Sequence, residues 1–382
     1  MTLKSDTLEK IVMDRVNGYY LVPRKSSEVL DGNNQMPVTL RPEVRESAAR
    51  ILKVNGIDVP EPILTRFVNR ERFDLKDVDE VTGWNIYWAQ EMAAAQAVIA
   101  GRGGSYDSYL PGRFMHYDLL ANIISNLFNN GGKGLNGKEV LEAGSGSGLG
   151  LILLATRGAV VHGIDTSKIG NAFAQYLAGH FAERYHNDLI RQRVGVGEGD
   201  YFRTEFGERA FDVVYNSGVA EHLSEKDLDT LIVEMVRVTK PGGYVLITVP
   251  NEDGIFYGRY RQAKEELKKQ FPALVNIPVD TRRHNFDIKS YMQNRGLVAI
   301  KEDGLQVAPS TPVRHGDIRS EHLPFFDMYL PTLAQGAQAP IPEARIAALS
   351  RLELMTDPTF RMRYGWSIYY VGRKPLDSKP AS

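Results

Sequence analysis

EVLEAGSGSGLGL, residues 139–151, decides the fold. Val140 and Leu141 begin an apolar run that ends in an acid, Glu142, and glycine then recurs at positions 144, 146, 148 and 150. A short buried strand that turns through glycines into an apolar helix opens a nucleotide-binding α/β sheet. Glycine permits the tight turn and a close approach to the backbone, and the helix N-terminus beyond it offers N–H groups to a ligand. The strict dinucleotide fingerprint G-x-G-x-x-G fails in both registers, because residues 149 and 151 are leucine. A phosphate-binding P-loop fails as well, since no Gly-Lys-Ser/Thr follows.

Outward from this stretch, residues of about 113–250 alternate between strand and helix patterns. RFMHYDLLANIISNLFNN places Phe114, Leu119, Leu120, Ile123, Ile124 and Leu127 at helical spacing. AVVHGIDTS, VGVGEGD, FDVVYNSG and YVLITVPN read as the second to fifth strands, with a helix over KIGNAFAQYLAGHFAERYHN. Ser224 is placed as a helix N-cap with Asp227 three residues on, and KPGG is expected to stop that helix. FDIKSYMQNRGL then predicts a helix, VAIKEDG a sixth strand and WSIYYVGRKP a seventh. The expected fold is a Rossmann-like, seven-stranded, mostly parallel sheet with helices on both faces. A helical extension is expected over 1–110, carrying EVRESAARILKV and WNIYWAQEMAAAQAVIA. The sheet domain would occupy 111–382, with a long insertion at about 305–360.

Composition narrows the function classes. Apolar residues make up 43% and charged residues 24%, in the range of a globular protein with a substantial core. The net charge of -1 gives no reason to expect a nucleic-acid partner. The chain contains no cysteine, which removes disulfides, thiolate metal sites and a cysteine nucleophile. No apolar run is long enough to span a bilayer, and MTLKSDTLEKIVMDR lacks a signal-peptide core. No membrane partner is expected, and a cytoplasmic location is.

What the glycine stretch does match is acid-x-Gly-x-Gly-x-Gly, through Glu142, Gly144, Gly146 and Gly148. This resembles the first motif of class I S-adenosylmethionine (SAM) dependent methyltransferases. The resemblance covers about 110–305 and the last strand, and four further motifs follow in the family's order. Asp165 ends the second strand, where the family sets an acid on the ribose hydroxyls. Asp200, with Tyr201 beside it, follows the third strand, where the family sets a carboxylate against the adenine amino group. FDVVYNSGVAEHL and VTKPGGYVLITVPN resemble its fourth-strand and fifth-strand motifs. The resemblance implies SAM as cofactor, Glu142 near the ligand's ammonium end, and Asn216 and Ser217 at the ligand edge of the sheet. It also implies a lid before the first helix of the core, where Arg113 would pair with the SAM carboxylate.

Candidates for acceptor chemistry are Glu221 and His222 just past the fourth strand, and Tyr109 and His116 in the lid region. A histidine there has a pKa suited to taking a proton from a hydroxyl or amine. Glu-His-Leu segments also occur in this family whatever the substrate, so a purely pocket-shaping role stands beside the catalytic one. Phe325, Phe326 and Tyr329 could floor a pocket, or belong to a core. No metal is expected, because nothing fixes the geometry of His315, Asp317, Glu321 and His322. The amphipathic EARIAALSRLELM is either a packing helix or a homodimer contact. The expected function is methyl transfer to a small-molecule metabolite. Two alternatives carry the same motifs: chemistry on the methionyl tail of SAM that releases methylthioadenosine, and a non-catalytic SAM-binding subunit.

Overall fold

The computed structural model describes residues 41–69, 71, 77–100, 111–128, 134–254, 257, 286–306, 353–354 and 357–377, with backbone alone for 111–115 and 364. The chain divides into two compact units. One comprises residues 120–250, 279–303 and 368–382, and holds the sheet; the other comprises 1–119, 251–278 and 304–367.

Within the second of these, α1 (Pro42–Val54), α2 (Glu61–Val68) and α3 (Glu80–Ile99) follow one another. Asp79 caps α3 by accepting from the Thr82 N–H at 2.9 Å. Ala89, Ala93, Ala94 and Ala95 are buried along α3, whose many small side chains allow neighbours a close approach. Arg45 of α1 is buried with its guanidinium 4.4 Å from the Phe67 ring centroid, a cation held over an aromatic face. The helical N-terminal region expected from sequence is thus present in residues 42–99. Helix α4 (Pro111–Asn126) follows.

The other unit is built on β1 (Glu139–Ala143), α5 (Leu149–Thr156), β2 (Val160–Asp165), α6 (Lys168–Arg184), α7 (Leu189–Arg193), β3 (Val194–Glu198), β4 (Phe211–Ser217), α8 (Glu225–Val238) and β5 (Thr239–Pro250). It is completed by α9 (Ile288–Asn294), β6 (Val298–Leu305) and β7 (Ser367–Arg373), the two strands each having an end residue or two assigned to the other unit, to which α10 (Pro358–Tyr364) belongs. The seven strands are ordered β3-β2-β1-β4-β5-β7-β6. The first five are parallel. Strand β7 runs against β5, since Gly242 and Gly243 pair with Lys374 at one end and Asn251 with Trp366 at the other. The mostly parallel sheet expected from sequence is what forms, with β7 as its reversed strand.

The register separates two faces, because alternate residues of a strand point the same way. Leu141, Ala143, Ile164, Val214, Val245 and Ile247 share a face and pack against Leu228, Leu231, Ile232 and Met235 of α8. The opposite face receives α5 and α6, and holds the site described below. Ser224 caps α8 through the Asp227 N–H at 3.2 Å, as its spacing predicts. KPGG stops α8 as expected, the helix ending at Val238 just before it, but β5 begins earlier than its apolar run predicts, with Lys240–Gly243 inside the strand. The ladder steps from Phe211–Thr239 to Val213–Tyr244, so these residues form a bulge, with Gly242 at φ 78°.

Candidate active site

Gly144, Gly146 and Gly148 all take positive φ, at 79°, 47° and 65°. The N–H groups of Gly144 and Ser145 both donate to the Ile164 carbonyl, at 2.8 and 3.0 Å, so the loop folds over the end of β2. A Cβ on Gly144 would lie 2.3 Å from Val219 Cγ2, and one on Gly148 would lie 2.7 Å from Ala174 Cβ. Gly148 also supplies the left-handed residue that starts α5. The glycines therefore fit the loop tightly to its own neighbours, and the α5 N-terminus opens at the carboxyl edge of the sheet.

A residue the sequence reading passed over makes this possible. Gly163, in the middle of β2, would place a Cβ 2.5 Å from Leu151 Cδ1 and 2.6 Å from Ser145 Oγ. An isolated glycine inside a strand pattern signals such a close approach.

Beneath the loop the sheet face is polar. Register aligns Gly163, Glu142, Tyr215 and Leu246 across β2, β1, β4 and β5, and places Ser217 beside Thr248. Asp165, Glu142, Tyr215, Ser217 and Thr248 therefore share a face. Glu142 is 1% exposed, and neither of its carboxylate oxygens has a donor in hydrogen-bond geometry. Burial raises its pKa well above the carboxylate range; the Tyr215 hydroxyl opposes that rise and the Asp165 charge adds to it. Asp165 is also buried. Its Oδ2 accepts from the Gly146 N–H at 2.8 Å and its Oδ1 from the Ser167 N–H at 2.7 Å, and its pKa is raised by burial against these two bonds. Ser167 caps α6 through the Gly170 N–H at 3.0 Å, and Asn171 donates to the Asp165 and Ser167 carbonyls.

Asn216 and Ser217 stand at the carboxyl end of β4, as predicted, and both are tied into the framework. The Asn216 amide donates to the Ala143 carbonyl at 2.5 Å and its oxygen accepts from the Ala220 N–H at 3.1 Å, which pins β4 to β1 and to the following turn. Ser217 Oγ accepts from the Thr248 hydroxyl at 2.8 Å. That turn, a 3-10 helix over Ala220–His222, carries Glu221 and His222, with His222 Nε2 4.0 Å from Glu221 Oε1. Burial pushes the Glu221 carboxyl up to about 7. Asp200 follows β3, is exposed, and closes a turn by accepting from the Phe202 N–H at 2.8 Å. The Tyr201 ring lies 4.7 Å from that of Phe202.

Other candidates fall elsewhere. His116 is in α4, where its Nδ1 is 3.2 Å from Gln306 Oε1, and desolvation lowers its pKa to about 4. It is neutral at pH 7 and a weak base. Arg113 lies in α4 as well, with its side chain outside the described residues. Tyr109, His315, Asp317, Glu321, His322, Phe325, Phe326 and Tyr329 also lie outside them. Among the described residues no group of three or more His, Cys, Asp or Glu is placed to hold a metal ion.

Buried acids under the loop suit a ligand that brings hydroxyls and a positive charge. Comparison with known proteins agrees. A family model described as a methyltransferase domain matches residues 141–247, from β1 through β5. A probable S-adenosylmethionine-dependent methyltransferase of Mycolicibacterium smegmatis is 32% identical over 123 residues, which cover 32% of this chain and 42% of that one. A ubiquinone biosynthesis O-methyltransferase of Pseudomonas putida is 31% identical over 174 residues, covering 45% of this chain and 66% of that one. A fatty-acid O-methyltransferase of Mycolicibacterium smegmatis is 34% identical over 116 residues, 30% of this chain and 38% of that one. The chain thus spans about two fifths of the length of the two relatives from Mycolicibacterium. The matched span coincides with the strands that carry Glu142, Asp165, Asn216 and Ser217. Residues 141–247 thus form a methyltransferase domain similar to that of S-adenosylmethionine-dependent methyltransferases, with S-adenosyl-L-methionine as its cofactor.

Proposed function

We propose that this protein transfers the methyl group of SAM to a small-molecule acceptor. The observation that carries the reading is the polar face beneath the glycine loop, with Glu142 and Asp165 buried on adjacent strands of one sheet face. Asp165 keeps lone pairs beyond its two backbone bonds and is assigned to the ribose hydroxyls. Glu142 is assigned to the ammonium end of the cofactor, Asp200 and Tyr201 to its adenine, and Arg113 to its carboxylate. Asn216 holds β1 and β4 together at the edge where the ligand sits, and Ser217 lines it.

When bound, the cofactor supplies an electrophilic methyl group on a sulfonium. The protein's part is alignment of the acceptor, exclusion of water and removal of the acceptor's proton. His222 is assigned to that proton, with Glu221 4.0 Å from its Nε2 to stabilise the imidazolium that forms. Tyr109 and His116 are assigned to the acceptor side of the pocket. The relatives whose names state an acceptor atom are O-methyltransferases, which makes hydroxyl and carboxylate compounds the first class to screen.

The test is product analysis by mass spectrometry after incubation with SAM, alone and with a library of small hydroxyl and carboxylate compounds. S-adenosylhomocysteine formed only with an acceptor is the expected result. Methylthioadenosine formed from SAM alone would replace this reading with chemistry on the methionyl tail.

A further inference from the structure

The pairing of Glu142 with Tyr215 has no counterpart in the motifs that define the cofactor site. Tyr215 stands directly opposite Glu142 in the β1–β4 ladder, on the face beneath the glycine loop. Its side chain is among the largest that are fully buried among the described residues, yet it carries a hydroxyl into a strand whose other buried residues up to that point, Phe211, Val213 and Val214, are apolar. A buried tyrosine hydroxyl in an apolar strand needs a polar neighbour, and the one across the ladder is a carboxyl group.

We propose that Tyr215 is a positioning residue for the cofactor, its hydroxyl, across the ladder from Glu142, closing onto that carboxylate when it receives the ammonium group of SAM. The proposal rests on the assignment of Glu142 to that ammonium group. Across the sheet, the titratable groups facing Glu142 are Asp165 from β2 and Tyr215 from β4; Ser145 brings an uncharged hydroxyl from the loop. Burial and Asp165 both disfavour the carboxylate, whereas the Tyr215 hydroxyl favours it. Without the ligand, Glu142 is held toward its protonated form; an arriving ammonium group requires the carboxylate, so binding releases a proton. Loss of the hydroxyl makes Glu142 harder to ionise. Affinity for an ammonium-bearing ligand then falls, most at low pH, and recovers as pH rises.

The experiment is calorimetric titration of the wild type, Tyr215→Phe and Glu142→Gln with S-adenosylhomocysteine and with methylthioadenosine. Methylthioadenosine shares the adenosine and sulfur but has neither ammonium nor carboxylate. Titrations run from about pH 6 to 7.5, below the midpoint at which an α-amino group itself titrates, in two buffers of different ionisation enthalpy to count protons. Tyr215→Phe is expected to bind S-adenosylhomocysteine about tenfold more weakly near pH 6. The loss shrinks toward pH 7.5, proton release is larger than in the wild type, and methylthioadenosine affinity is unchanged. Glu142→Gln is expected to abolish the proton release. Equal losses for both ligands at every pH, or no loss for either, would overturn the role of Tyr215 while leaving the cofactor site standing. Wild-type protein that binds neither ligand would overturn both.

Discussion

Single residues here serve structure and ligand at once, and their variants read accordingly. Asp165 is the clearest case. From sequence alone, Asp165→Ala is expected to remove cofactor affinity and leave the fold intact. Its two oxygens, however, each accept a backbone N–H, one from the glycine loop and one from the start of α6. Alanine leaves both donors in a buried place, so a loss of about 1–3 kcal/mol of stability accompanies the loss of affinity. Denaturant unfolding of the ligand-free variant checks this, and unchanged stability would mean that the loop does not depend on Asp165. Glu221 gives a prediction of opposite sense. Its folded pKa is raised from 4.5 to about 7 by burial, so the fold prefers the protonated form. Below about pH 4 both folded and unfolded states are protonated and no penalty exists. Stability is lost as pH rises from 4.5 to about 7, because the unfolded chain releases this proton first, and the loss is constant above that. Glu221→Gln mimics the neutral acid and should be more stable than the wild type at pH 8 by roughly 2–3 kcal/mol, with little difference at pH 4. Parallel stability–pH curves for the two proteins would show that Glu221 ionises freely in the fold.

Elements were largely legible from pattern, and the exceptions have physical reasons. All seven strands stand where alternation and apolar runs place them, and Ser224 caps α8 as its spacing requires. KPGG marks the end of α8 correctly, but that the segment is already part of a bulged strand shows only in its tertiary pairing with Lys374. The direction of β7 could not be read from its own residues, since antiparallel pairing is a property of its neighbours. At the site, the glycine motif and the acids at strand ends were visible because they lie within single short segments. The Glu142–Tyr215 pairing and the fit of the loop over Gly163 were not, because each depends on register between strands distant in sequence. Gly163 tests the second of these. An added methyl group would meet both Leu151 and Ser145 at under 3 Å. Leu151 can rotate its terminal methyl away, but Ser145 Cβ, 2.8 Å from the new atom, is fixed to the loop backbone. Gly163→Ala should therefore cost about 1–3 kcal/mol and lift the loop, weakening SAM binding as well. Retention of wild-type melting temperature and SAM affinity would show that the loop has slack the packing does not reveal.

At the scale of the whole molecule, the residues assigned to SAM from Glu142 to Ser217 belong to the unit that carries the sheet, whereas His116 belongs to the unit that holds the N-terminal helices. That division has a thermodynamic consequence. A ligand stabilises the part of a protein that binds it by an amount set by its concentration relative to Kd, about 2.7 kcal/mol at a hundredfold excess over Kd. For a domain of this size each kcal/mol moves the melting temperature by roughly 2–4 °C. Saturating SAM or S-adenosylhomocysteine should thus raise the transition in which the sheet melts by about 5–10 °C. NADH should leave it unmoved, because the loop has leucine at 149 and 151 where the dinucleotide fingerprint needs its third glycine. Scanning calorimetry distinguishes the two ligands in one preparation. A shift with NADH equal to that with SAM would mean that the loop accepts a dinucleotide despite the missing glycine. A SAM shift that persists in Glu142→Gln and vanishes in Asp165→Ala would place most of the binding energy at the ribose end, leaving Glu142 to set pH dependence.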